Sequence, residues 1–288
     1  MNLKRIKIGV SSFIIILFLM ALGHVLMVLT EKIFAEHKYF GAMLIGLLGV
    51  VLLLIGIRNK SKSTATILGL LAGVLIWTGW VEFSFVWIAE KLSIPALIEN
   101  GEVATKPEYL IMLSSIGLLS TFSLFFLFSY TKCQFFKWFQ KLFKIKEHLA
   151  KKRNNEKPVV ITTFIETIMI LWTFYIVLLL VYDKDIAGDN HPITYLVAFG
   201  SLFWSLYLSL NLIKIQKFDY AIRYAIPTVI IFWNVVEILG RWNLFKEIWV
   251  HPIEHWIEIL IITILFIGFI SYYVFESKKS NKLNTIKQ

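Results

Sequence analysis

The stretch "IGVSSFIIILFLMALGHVLMVL", residues 8–29, runs 22 residues without a lysine, arginine or acidic side chain. As a helix rising 1.5 Å per residue it is long enough to cross a bilayer core of about 30 Å. Moving outward along the chain, seven further stretches meet the same requirement: 39–57, 67–89, 109–130, 159–182, 192–213, 222–241 and 256–275. The reading is an all-α polytopic membrane protein with eight transmembrane helices. Composition agrees, since 58% of residues are hydrophobic, only 17% are charged and mean hydropathy is +0.72. A soluble chain of this make-up would expose large apolar patches. Lys4, Arg5 and Lys7 precede the first stretch in the manner of a signal peptide. Its apolar run is too long and no small-x-small cleavage site follows, so it reads as a retained helix.

The formal charge of +10 raises a nucleic-acid reading, which the placement of the charges removes. With the N-terminus inside, 22 of the 29 lysines and arginines fall in alternate loops and the tail, on one side. By the positive-inside rule both termini face the cytoplasm, and the protein belongs in the cytoplasmic (inner) membrane with no nucleic-acid partner. Cys133 is the only cysteine, which excludes an internal disulfide or an iron–sulfur cluster held by this chain alone.

Shifting the chain by 155 residues superposes the first four spans on the last four. "LIWTGWVEFSFVW" (75–87) then lies on "IIFWNVVEILGRW" (230–242), with Ile76 over Ile231, Val81 over Val236, Glu82 over Glu237 and Trp87 over Trp242. Four helices per copy keep one orientation, so the expectation is two parallel four-helix repeats. The chain divides into a first transmembrane half, 1–130, a basic amphipathic linker, 131–158, and a second half with a short basic tail, 159–288. In the linker, Phe135, Phe136, Trp138, Phe139, Leu142 and Phe143 share one helical face, and lysines fill the other. That pattern predicts an in-plane helix, with anionic inner-leaflet lipids as partners at 135–152. Docking onto a protein partner has the same signature.

Ionisable groups inside the hydrocarbon are costly and mark function or pairing. Glu82, Glu166 and Glu237 are the carboxylates concerned. In the seventh span Asn234, Glu237 and Arg241 form a narrow polar stripe, and Glu237 with Arg241 has the spacing of an intrahelical pair. As repeat equivalents, Glu82 and Glu237 could face each other across a cavity and bind a cation or share a proton. Glu82, Asn234, Glu237, Arg241 and Glu166 are therefore the candidate substrate-binding residues. A metal reading stands beside this one. His24 shares a face with Met20, Met27 and Glu31, a ligand set suited to copper, while His251, His255 and Glu258 have the i, i+4, i+7 spacing of a zinc-type helical site.

Phosphate-binding glycine loops, the nucleophile elbow and the His-Glu-x-x-His helix are absent, which argues against direct ATP or dinucleotide chemistry and leaves an enzyme only with a sparse site on the outer face. Three functional classes remain. The first is a transporter or permease-like protein for a small solute, ion or lipid, with its intramembrane carboxylate site between two repeats. The others are a non-catalytic subunit or assembly factor of a larger membrane complex, and an outward-facing metal- or redox-dependent membrane protein.

Overall fold

The computed structural model describes residues 3–99, 102–129, 131, 133–145 and 158–286. The fold is all-α apart from one short hairpin. Helix α1 (Leu3–Phe34) leads through a 3-10 turn into α2 (Lys38–Arg58), and then come α3 (Lys62–Ile76), a π-helical turn (Trp77–Glu82) and α4 (Phe83–Lys91). Strands β1 (Leu97–Glu99) and β2 (Glu102–Thr105) pair antiparallel before α5 (Pro107–Met112). A 3-10 turn joins α5 to α6 (Ile116–Phe128). The remainder is α7 (Gln134–Leu142), α8 (Val159–Tyr182), α9 (Pro192–Leu212), α10 (Phe218–Arg241) and α11 (Trp256–Ile286).

Seven helical runs among the described residues are long and apolar enough to cross a membrane. The first, Leu3–Arg58, is two helices. Its chain reverses at Ala35, which takes a left-handed φ of 39°, and Met27 and Ala42 from the two arms meet in one buried cluster. Seven to eight membrane-length helices result among the described residues, overlapping the stretches read from sequence. Leucines and phenylalanines such as Leu47, Leu54, Phe122, Phe125, Phe203 and Ile264 face outward. An apolar exterior on this scale suits lipid rather than water, so the chain is described as a multi-pass membrane protein.

The innermost helices are α3–α4, α8 and α10. Close approach depends on small residues. Gly49 of α2 rests against Ala72 and Ile76, and Ser205 of α9 donates a hydrogen bond to the Thr228 carbonyl of α10 at 3.0 Å. Neighbours occur in matched sets: α2 packs on α3 as α9 packs on α10, and α1 packs on α10 as α8 packs on α3. Tyr273 of α11 donates to Ser11 of α1 at 3.0 Å, tying the last helix to the first.

Helix α7 differs from the sequence expectation in what its aromatic face covers. Phe135 meets Phe174 of α8, Phe136 stacks on Phe126 of α6, and Trp138 meets Trp204 of α9. The apolar face therefore packs on the bundle, while Trp138, Leu142 and Phe143 remain partly exposed. The Gln140 amide donates to the Leu127 and Ser129 carbonyls at 2.9 and 3.0 Å, capping orphan acceptors at the end of α6. Cys133 is buried beside α7. Burial, then the nearby Glu166 carboxylate, pushes its thiol up to about 12, so it stays protonated and unreactive. Of the lipid-facing linker expected at 135–152, residues 146–152 lie outside the described residues.

Candidate functional site

A cavity of about 620 Å³ opens at the end of the bundle that carries the β-hairpin and the α10–α11 connection. It descends between α1, α8 and α10, with Lys106 and Tyr109 from the start of α5 on one wall. Its size is that of a small-molecule site.

His24 of α1 stands at its polar centre. Its Nε2 lies 3.4 Å from the Glu237 carboxylate, and its ring stacks on Trp233 with centroids 5.8 Å apart. Trp233 and Glu237 are one helical turn apart on α10, so the indole N–H reaches the carboxylate and donates at 2.6 Å. Glu82 lies on the buried side of the histidine. It is only 4% exposed, accepts from the Trp77 indole at 2.9 Å, and has His24, Tyr175 and Thr78 as neighbours. The two acids are thus held by the same tryptophan-to-carboxylate bond. In α10 that bond spans four residues, and in the π turn it spans five. π turns inserted in α-helices frequently coincide with functional sites.

The rim is built from cations that already have partners. Arg241 donates to Asp189 through Nε and to Thr105 at 3.3 Å, and its guanidinium lies 4.3 Å from the centre of the Tyr182 ring. The neighbouring Trp242 indole donates to the Asp189 carbonyl at 2.9 Å, which fixes that loop. Lys106 pairs with Glu31 at 3.4 Å and with Glu108 at 3.8 Å. The Glu237–Arg241 pair expected from spacing is therefore replaced by two cross-element interactions, Arg241 with Asp189 and Glu237 with His24. An i, i+4 spacing permits a contact, but these longer-range partners capture both ends.

Asn234, Glu237, Arg241 and His24 line the cavity together, and Glu82 lies behind His24, outside the lining. Glu166 is not part of this group. It is 2% exposed and accepts two hydrogen bonds from Arg223, at 2.8 Å from Nε and 2.5 Å from Nη2. This charge-assisted, two-pronged pair clamps α8 to α10. Met20, His24 and Met27 do line one cavity wall, while Glu31 is taken by Lys106. His251, His255 and Glu258 sit where α11 begins, with local pairs of His255 to Glu258 at 3.5 Å and His251 to Glu254 at 4.0 Å. Among the described residues no three His, Cys, Asp or Glu side chains are grouped to hold a metal ion. Residues 251–255 form turns ahead of α11, which starts at Trp256, and the His255 amide donates to the His251 carbonyl at 3.1 Å.

The structure adds Glu247, Tyr109, Tyr175, Tyr182 and Trp249 to the cavity wall. Tyr175 and Tyr182 are seven apart on α8, a spacing that places both on one face and could have been read from sequence. Glu247 carries no such signal. Its carboxylate rests on Gly240, where an added Cβ would collide with it. Burial, with the Glu237 charge next, pushes the Glu247 carboxyl from its usual 4.5 up to about 7. The folded protein thus holds this proton more tightly than the unfolded chain. Its contribution to stability falls as pH rises from about 4.5 to 7 and is flat above that. Thermal melts in detergent should show this decline in the wild type and a smaller one in Glu247→Gln. Equal declines would remove Glu247 as the cause.

Compared with protein-family models, curated proteins and solved structures, the chain matches none of them.

Proposed function

We propose that the chain is a transporter-like protein that takes a small solute into the cavity at the hairpin end and couples its movement to a proton carried by Glu237, His24 and Glu82. The observation that carries this reading is the cavity itself, which reaches from the bundle's end to a histidine set between two intramembrane carboxylates. Proton relays in membrane proteins use such chains of Glu and His. At the cavity's inner limit Phe174 meets Phe135, so α7 closes the path towards the opposite, basic end. In this reading the basic end and both termini face the cytoplasm, as the lysine and arginine distribution favours. The matched helix neighbours and the twin tryptophan-to-carboxylate bonds support two parallel four-helix repeats, with the site between them.

The test is solute-driven pH change inside liposomes carrying the purified protein and an internal pH dye. The panel comprises amino acids, sugars, nucleosides and organic amines. At least one class should drive a pH change, reduced tenfold or more in Glu237→Gln and in Glu82→Gln. If nothing on the panel does so, or if both folded variants run at full rate, the proposal fails.

A further inference from the structure

The cavity's charge pattern narrows its ligand. Arg241 and Lys106 are each committed to carboxylates of their own, Asp189 for the first and Glu31 and Glu108 for the second. Glu237 and Glu247 line the same cavity; Glu237 meets His24 at 3.4 Å, and among the described residues neither acid is paired with a lysine or arginine. Two like charges in one partly dry cavity repel, and a cation between them relieves the repulsion. The adjoining walls are aromatic. Trp233 and Trp249 have centroids 4.8 Å apart, with Tyr175 and Tyr182 nearby. Electron-rich rings favour a nearby cation through the ring quadrupole, as the Arg241 guanidinium over Tyr182 already shows, while Trp233 is stacked on His24. The Tyr182 hydroxyl is buried and has no hydrogen-bond partner.

We infer that the cavity holds an organic ammonium group, seated between the carboxylates of Glu237 and Glu247 against the tryptophan faces. An anionic ligand would find its cations already engaged and two carboxylates opposing it. The inference rests on the cavity being the solute site, but it can be tested without transport. Glu247 must be ionised for full binding, and its raised value means that pH 8 is suitable and pH 6 is not. The charged and titratable groups sharing the cavity with it are Glu237, Arg241, His24, Lys106, Asp189, Tyr109, Tyr175 and Tyr182.

The experiment is calorimetric titration of the purified chain in maltoside micelles at pH 8 with choline, ethanolamine and 3,3-dimethylbutan-1-ol, the neutral shape analogue of choline. Choline or ethanolamine should bind saturably, and the neutral analogue at least tenfold more weakly. Affinity should drop tenfold or more in Glu237→Gln and Glu247→Gln. It should also drop in Gly240→Ala, which keeps both charges but displaces the Glu247 carboxylate. Competition by phosphatidylethanolamine and not by phosphatidylglycerol would identify a lipid headgroup as the source of the ammonium, whereas no competition would identify a free amine. Failure of both amines and of the lipid to bind, or equal binding of the neutral analogue, overturns the inference. Solute-driven proton flux in the absence of ammonium binding would leave the transport reading standing. Ammonium binding without flux would remove the transport reading alone.

Discussion

Arg223→Met is expected to destabilise the protein by about 3–5 kcal/mol, the cost of leaving one partner of a buried ion pair without the other. Glu166 is almost wholly buried on α8, and both its oxygens are held by the Arg223 guanidinium of α10. Methionine fills much of the arginine's volume but donates nothing, so the carboxylate must either take up a proton or open the α8–α10 contact. Glu166→Leu combined with Arg223→Met should restore most of the loss, because a packed apolar pair removes the stranded charge. Unfolding monitored by circular dichroism in mixed detergent and SDS would measure both effects. A single variant as stable as the wild type would show that the pair does not hold the two helices together. If the proposed transport holds, solute-driven flux should persist in the double variant, since neither residue lines the cavity.

Gly79→Ala is expected to cost about 1–3 kcal/mol, as overpacking of a tight contact does. A Cβ on Gly79 would lie 2.6 Å from both the Ala42 carbonyl oxygen and the Gly46 nitrogen. These are backbone atoms of α2 and cannot swing aside as a side chain would. Relief requires separating α2 from the π turn, which also disturbs the Trp77 bond to Glu82. Gly117→Ala is the control, because a Cβ there meets nothing within 4 Å. The same unfolding measurement distinguishes the two. If Gly79→Ala and Gly117→Ala melt alike, the close approach of the π turn to α2 carries little of the stability.

The membrane-length apolar helices were legible because hydrocarbon imposes a length and an apolar composition that a sequence window reads directly. Glu82, Asn234 and Glu237 were legible for the same reason, since an acid or amide in such a window stands out. Partner choice was not legible. Spacing paired Glu237 with Arg241, whereas the actual partners, His24 and Asp189, lie on other elements and follow from helix packing. Glu166 looked equivalent to Glu237 in sequence. Only the arrival of Arg223, which counts as a loop-flanking positive charge in a topology reading, separates a clamp from a site. Glu247 was invisible because a single acid in a polar connection is ordinary until the connection folds over a cavity. The aromatic face of the linker was read correctly as a face, but sequence could not say whether lipid or the bundle would cover it.

The π turn at Trp77–Glu82 has a consequence for how the two acids are ranked. One extra residue inserted in a regular helix would rotate everything beyond it by about 100°. Here the wide turn absorbs it, and the indole of Trp77 still reaches Glu82. The carboxylate is drawn to the back of the histidine, while Glu237 stands in front of it at the cavity. Two acids held by the same kind of bond are therefore not interchangeable, and the site has a direction. In the proposed relay a proton entering from the cavity would meet Glu237 first and Glu82 last. The two acids thus stand at different depths although each accepts a hydrogen bond from a tryptophan indole.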